Sequence, residues 1–387
     1  MPAAPPCASN MKAIINGKII LKDGIVENKV LLFDEKIIGV ADTAVGADEV
    51  IDAQGMYVSP GFVDVHIHGY LGEDASDGSA AGLRVMAEGV IRNGVTSFLP
   101  TTMTVAWEEL ERAFDVIRML MPESKTADWM GAQILGCHAE GPFINPGKKG
   151  AQAAEAILPP DADKMLKHKD IIRLVTFAPE MPGGIDFAKR IRSESDMRLS
   201  VGHTNATYEE TMAAMDAGAD HITHTFNAMS ALSHRAPGVV GAAFTSDAYC
   251  ELIADTFHIH PALFTLFHKA KGDKIVLITD CTRAGGLSDG EYTLGGQPIF
   301  VKGIECRLAD GTIAGSVLKM NNAVRNFRDH AHVPFYEAVN CASLYAARSV
   351  GVDNCKGSLE AGKDADVVLM DEACDVRAVF VGGVKKV

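Results

Sequence analysis

The sequence predicts an α/β protein: a (β/α)8 TIM-type barrel with a small β-sandwich domain built from both chain termini. Three observations carry this. Short, apolar, β-favouring segments recur through the middle of the chain with helical stretches between them, the alternation that parallel strands and crossover helices require. Both ends of the chain instead show short strands separated by tight turns. At 387 residues the chain exceeds the size at which one core usually stops growing, so a large and a small domain are expected. The division expected is residues 1–10 as an extension, 11–59 plus 352–387 as the sandwich, and 60–351 as the barrel.

Taken in order, the Pro/Ala-rich residues 1–10 lack the apolar core of a signal segment and precede Met11. Strands are predicted at 13–15, 18–20, 28–33 and 36–40, because Asn16-Gly17, Asp23-Gly24 and Asp34-Glu35 between them are hairpin signals. Pro60-Gly61 then marks a turn, and Phe62, Val63, Val65 and Ile67 read as a buried strand. Seven more strands are predicted at 96–101, 134–139, 174–178, 198–202, 221–225, 250–254 and 275–279. Helices are expected at 107–121, 208–217 and 261–271, with a further one at 334–349. Strands at 366–370 and 376–381 return the chain to the sandwich. A doubly wound open sheet is the alternative, but no Gly-rich phosphate fingerprint follows an early strand.

Composition limits the partners. Hydrophobic residues make up 47% and charged residues 22%, ordinary for a globular protein. A net charge of −14 argues against nucleic acid or an anionic membrane surface, and no apolar run approaches a membrane span. The eight cysteines are scattered without paired spacing, which reads as reduced thiols in a cytoplasmic protein. Cys137 and Cys281 adjoin candidate site residues, but without a CxxC neither reads as a ligand.

Chemistry concentrates at the strand ends. His66 and His68 are two apart on one strand, so their imidazoles leave the same face. Later strands end in Cys137-His138-Ala139-Glu140, Gly202-His203-Thr204, Thr223-His224-Thr225 and Thr279-Asp280. In a barrel these ends converge on the face where active sites form. Any one of these histidines alone is accounted for by a hydrogen-bonded core residue, and a lone strand-end Asp by a helix cap. Together they make a divalent-metal site, for which neutral imidazole and carboxylate suit Zn²⁺ or Fe²⁺.

This order of residues resembles the amidohydrolase superfamily, and within it the branch that deacetylates N-acetylamino-sugar 6-phosphates. The carriers are Pro60-Gly61-Phe62-Val63-Asp64-Val65-His66-Ile67-His68-Gly69, His138-Ala139-Glu140-Gly141-Pro142-Phe143, Gly202-His203-Thr204 and His224-Thr225-Phe226-Asn227-Ala228-Met229. Ile253-Ala254-Asp255-Thr256-Phe257-His258, Thr279-Asp280 and Ala314-Gly315-Ser316 complete them. The resemblance implies metal-dependent hydrolysis of the acetamide of N-acetyl-D-glucosamine 6-phosphate, in amino-sugar catabolism, to D-glucosamine 6-phosphate and acetate. It implies Glu140, His203 and His224 as the main metal ligands, with Glu140 bridging to a second ion held by His66 and His68, so one or two ions per chain. Asp280 is implied as the catalytic base that later returns its proton to the leaving amine. Ala151, Gln152, Ile313, Ala314 and Gly315 are implied along the sugar. His258, Arg235 and the backbone amides of Asn227 and Ala228 are implied at the phosphate, Arg235 reaching in from the neighbouring subunit of a homodimer. Lys148 and Lys149 read as a solvated loop.

Two departures bear on the sugar rather than the reaction. Many relatives carry His where this chain has Gln152, which can donate a hydrogen bond but cannot become a cation. After the Asp many relatives read Ala-Met, whereas Cys281-Thr282-Arg283 follows here, with Arg283 expected to add positive charge near the site. The competing readings are an N-acetylgalactosamine-6-phosphate deacetylase, a cyclic amidase and a catalytically silent scaffold of the same fold. Against the cyclic amidase, Thr176-Phe177-Ala178-Pro179 offers no lysine to carboxylate. Against the scaffold, every ligand is present.

Overall fold

The structure, a computed structural model, describes residues 10–387. Eight parallel strands form the barrel: β1 (Phe62–Ile67), β2 (Val95–Thr102), β3 (Cys137–Glu140), β4 (Ile172–Phe177), β5 (Arg198–Val201), β6 (His221–Ile222), β7 (Tyr249–Ile253) and β8 (Ile275–Ile278). Each pairs with the next in chain order, from β1 on β2 through β7 on β8. The ring is drawn shut just past the strand ends, where the Asp280 N–H donates to the His66 carbonyl (2.8 Å) and those of His68 and Gly69 donate to the Cys281 carbonyl (2.9 Å each). Closure on that side brings the His-x-His pair against Asp280.

The β-favouring runs form strands because their outward side chains pack under the surrounding helices. Phe62, Phe98, Leu174, Leu199, Leu252 and Leu277 are all buried in one continuous core with Phe114, Phe264 and Phe327. Thr207 starts the helix Tyr208–Asp216 through a capping box with Glu210, satisfying amide donors that an α-helix leaves open. Glycine is required where backbones touch: a Cβ on Gly61 would fall inside Thr96, and one on Gly69 inside the Glu73 carbonyl.

The chain ends meet beside the barrel. Val367–Met370 pairs with Tyr57–Pro60 on one edge and Val376–Val381 on the other, and Tyr57–Pro60 continues to Lys18–Leu21. A second sheet runs Ile37–Ala41, Val30–Phe33, Lys12–Ile15, Glu49–Asp52. Between the sheets, Ile14, Leu31 and Phe33 pack on Ile19, Val58, Val367 and Phe380. The boundary expected at 59/60 falls inside the strand Tyr57–Pro60, which runs straight into β1.

Three expectations need correction. The strand at 134–139 is broken into Gln133–Ile134 and Cys137–Glu140. The helix at 334–349 is two helices, Phe335–Ala342 and Leu344–Ser349, parted where Ser343 leaves helical geometry and its hydroxyl donates to the Val339 carbonyl (2.7 Å). A three-stranded antiparallel sheet, Gly290–Leu294, Gln297–Lys302 and Glu305–Leu308, follows β8 where no strands were expected. All but residue 10 of the expected extension lies outside the described residues. The seven cysteines among the described residues are free thiols, and no described helix is long and apolar enough to cross a membrane.

Candidate metal centre and active site

The candidate residues converge at the C-terminal ends of the strands. Glu140 is the last residue of β3, while His203, His224 and Asp280 each lie two residues beyond β5, β6 and β8. These last three have φ of 46°, 26° and 49°, in the left-handed region that costs non-glycine residues roughly 1–3 kcal/mol each. The surroundings hold them there. The Asp280 carbonyl accepts from the Ser316 N–H (2.8 Å), and the His203 carbonyl accepts from the Asn145 N–H (2.9 Å).

Two sets of ligand atoms result. In one, His203 Nε2 and His224 Nε2 each lie 3.0 Å from Glu140 Oε1 and 3.1 Å from each other. In the other, His68 Nε2 stands 3.1 Å from Glu140 Oε2 and 3.2 Å from Asp280 Oδ1, with His66 Nε2 3.4 Å from the same Asp280 oxygen. Glu140 therefore turns one oxygen to each set. The ring tautomers can be read from the opposite nitrogens. Nδ1 of His203 donates to the Lys148 carbonyl (2.8 Å), that of His224 to the Asn227 carbonyl (3.1 Å) and that of His68 to the Thr101 carbonyl (3.0 Å). His66 Nδ1 donates to Glu251 Oε2 at 2.9 Å. With every Nδ1 carrying the proton, four Nε2 lone pairs face carboxylate oxygens and one another. That arrangement suits cations at the two foci, so the residues fit one or two divalent ions.

The field of the carboxylates draws positive charge to these positions, a proton on an imidazole or a metal ion in its place. Burial works against a charged imidazole at His68, yet Asp280 and Glu140 hold its ring up to about 10. Burial likewise opposes charge on Glu140 and Asp280, but the imidazoles, His66 foremost, keep both carboxyls below their ordinary range. The carboxylates are held ionised at neutral pH.

A third His/Glu grouping, His66 with His138 and Glu251, is not a metal site. His138 has both nitrogens engaged, by the Val65 carbonyl (3.1 Å) and the Thr176 hydroxyl (2.7 Å). Burial and the neighbouring His66 push its ring down to about 3, so it is a neutral member of the barrel interior. From Thr176 hydroxyl contacts continue to Thr223 and Ser200. Asp64 is a further interior carboxylate, accepting from the Thr279 hydroxyl at 2.6 Å and tying β1 to the end of β8. Sequence reasoning assigned no role to Glu251 or Asp64. The available signal was a charged residue inside an apolar strand, which in a barrel must point inward and find donors there.

The pocket over these ligands has a volume of about 360 Å³, within the range of small-molecule sites. Of the expected substrate residues, Ala151, Gln152, Asn227, Ala228, His258, Ile313 and Gly315 line it. Ala314 does not: its side chain is buried in the core of the three-stranded sheet. That sheet supplies Leu294 to the wall instead. The Asn227 N–H is committed to the His224 carbonyl (2.9 Å), whereas no hydrogen bond among the described residues uses the Ala228 N–H. Gln152 lies against the ligands, its Nε2 donating to Glu140 Oε2 (2.7 Å) and its Oε1 accepting from the Thr104 N–H (2.6 Å). His258 is aimed by Asp255, whose carboxylate takes its Nδ1–H at 2.6 Å.

Two charged residues depart from expectation, and Arg235 stands apart from this chain's pocket. Lys148, read as solvated, lines the pocket, with its ammonium donating to the Met229 carbonyl (3.2 Å). Arg283 does not line it; its guanidinium is paired with Asp77 at 2.9 Å behind the wall. Arg235 lies exposed on the loop before the helix Gly238–Thr245, outside this chain's own pocket.

Comparisons with known proteins follow the same lines. The amidohydrolase family model matches residues 57–386. An N-acetylglucosamine-6-phosphate deacetylase of Bacillus subtilis (strain 168) is 41% identical over 323 residues, 82% of this chain and 81% of that protein. An N-acetylgalactosamine-6-phosphate deacetylase of Escherichia coli O157:H7 is 36% identical over 360 residues, 90% of this chain and 94% of that protein. The crystal structure of N-acetylglucosamine-6-phosphate deacetylase from Pasteurella multocida is similar with a TM-score of 0.92 at 32% identity, covering 97% of this chain and 99% of that one.

Proposed function

The chain belongs to the amidohydrolase family, and from that membership we propose that it hydrolyses the acetamide of N-acetyl-D-glucosamine 6-phosphate, releasing acetate and D-glucosamine 6-phosphate. The observation that carries this is the pairing of a Glu140/His203/His224 ligand set with an ionised Asp280 at the floor of a pocket whose wall holds Lys148 and His258.

Glu140, His203 and His224 would hold one divalent ion, and His66 and His68 with Glu140 a second; when bound, the metal would supply Lewis acidity at the acetamide carbonyl and to water. Asp280 accepts the proton of the water that adds to that carbonyl. As the adduct collapses, Asp280 returns the proton to the departing amine nitrogen. Gln152 keeps Glu140 turned between its two histidine pairs, and one N–H of its amide stays available to an acyl oxygen.

The phosphate falls to the far end of the pocket. The Ala228 N–H, His258 and Lys148 of one subunit, with Arg235 of a second subunit in a homodimer, form its anion site. A guanidinium suits phosphate because it donates two parallel hydrogen bonds. Replacing Lys148, His258 or Arg235 with Ala is expected to raise KM for the phosphorylated sugar roughly 10-fold or more, the value of one charge-assisted hydrogen bond. The unphosphorylated sugar should change little. Equal losses on both sugars would show that these residues do not read phosphate. Mixing Arg235→Ala with Asp280→Asn protomers should restore active sites if the arginine crosses between subunits. No recovery in verified mixed dimers would exclude that arrangement.

The galactosamine epimer is the second reading, because the Escherichia coli relative of that specificity covers 90% of this chain. Acetate release from both N-acetylamino-sugar 6-phosphates, assayed with chelator and with added Zn²⁺ or Fe²⁺, tests the proposal. Faster turnover of the galacto sugar would transfer the assignment to it, and turnover of neither with metal present would overturn both.

A further inference from the structure

Glu251 lies in the middle of β7, fully buried against two of the ligand residues, His66 and His224. Its Oε2 accepts from His66 Nδ1 (2.9 Å) and from the His224 backbone N–H (2.9 Å), and its Oε1 faces His221 Nε2 at 3.1 Å. His221 Nδ1 has no partner among the described residues. The tautomer follows: a proton on Nδ1 would be a buried donor without an acceptor, so His221 carries it on Nε2 and donates to Glu251. Three groups face this carboxylate and all three are donors. Only an ionised acid accepts from all of them, and no Lys or Arg among the described residues pairs with it.

This one side chain touches both ligand sets. It polarises the ring of His66, making that Nε2 a better ligand, and it holds the backbone of His224 in its left-handed turn. It does not reach the His224 ring, which the Asn227 carbonyl orients instead. We propose that Glu251 is a positioning residue for the metal centre, whose negative charge sets the affinity of the His66/His68 subsite while leaving the Glu140/His203/His224 subsite nearly untouched. The proposal rests on the two-ion reading above and adds what sets the difference between the ions.

The test is Glu251→Gln. The amide has nearly the same shape; its oxygen can accept from His66 and His224, and its nitrogen can meet His221 if that ring moves its proton to Nδ1. The fold is therefore expected to persist, with the charge removed and one His221 Nδ1–H left without an acceptor as the local cost. Elemental analysis and chelator competition should find one ion retained at unchanged affinity and the second bound about 10–100-fold more weakly, as for other residues that orient ligands. Unchanged content and affinity for both ions, with or without a lower Tm, would overturn the proposal, as would equal weakening of both. Should the variant not fold, ¹⁵N-histidine NMR of the wild-type protein loaded with Zn²⁺ gives a second reading. His66 should carry its proton on Nδ1 and His221 on Nε2; the opposite tautomer at His66 would overturn the proposal. A wild-type protein that binds a single ion would also overturn it. One that binds two without cleaving either sugar would defeat the assigned reaction and leave the Glu251 result standing.

Discussion

Asp280→Asn is expected to lose turnover by roughly 10³-fold or more, about 4 kcal/mol of barrier, while keeping the fold. The fold should persist because Asn tolerates left-handed backbone, and Asp280 sits at φ 49° with its amide bound to the His66 carbonyl. The side chain keeps its shape, so the pocket floor is unchanged. What goes is the ionised carboxylate that takes the proton, a charge that burial opposes and the His66 and His68 rings maintain in the native acid. Metal content must be measured alongside, since Asp280 Oδ1 stands 3.2 Å from His68 Nε2. Near-normal kcat in a variant with full metal would remove Asp280 from the mechanism.

The barrel was legible because its strands are buried on both faces and read as apolar runs bounded by turn residues. Their ends were legible because polar residues after such runs have few structural reasons to be there. His68, Glu140, His203, His224 and Asp280 all line one pocket in the structure, with His66 buried against Asp280, from strands that the chain visits over more than two hundred residues. The three-stranded sheet after β8 was missed although Gly295-Gly296 is a hairpin signal. Its strands alternate exposed and buried residues around polar side chains, as in Gln297–Lys302, and so lack an apolar run.

What lay beyond the sequence is chiefly direction. Lys148 and Arg283 are both cations in loops beside the site, and only the fold turns one into the pocket and the other onto Asp77. The Asn227 amide was expected to face an anion, but the tight turn after β6 spends it on the His224 carbonyl. Glu251 was hidden for another reason: a charge inside a strand has no meaning until the barrel closes and shows which groups surround it.

The second large effect separates the two ligand sets. Changing either His203 or His224 to Asn is expected to abolish bound metal and to cut activity at least roughly 10³-fold, because two remaining ligands cannot fix an ion over the acetamide. Changing both His66 and His68 to Asn should lower metal content towards one ion per chain and reduce activity only partly. The asymmetry follows from Glu140: its Oε1 lies 3.0 Å from both His203 and His224, so that set is complete without the first pair. The His66/His68 set leans on Asp280 and on the other oxygen of Glu140, and loses both of its imidazoles in the double variant. Elemental analysis of the purified variants decides it. Unchanged metal content in the His66/His68 variant would mean that this pair binds no ion, and a His224→Asn protein that retains metal and turnover would move the essential site elsewhere.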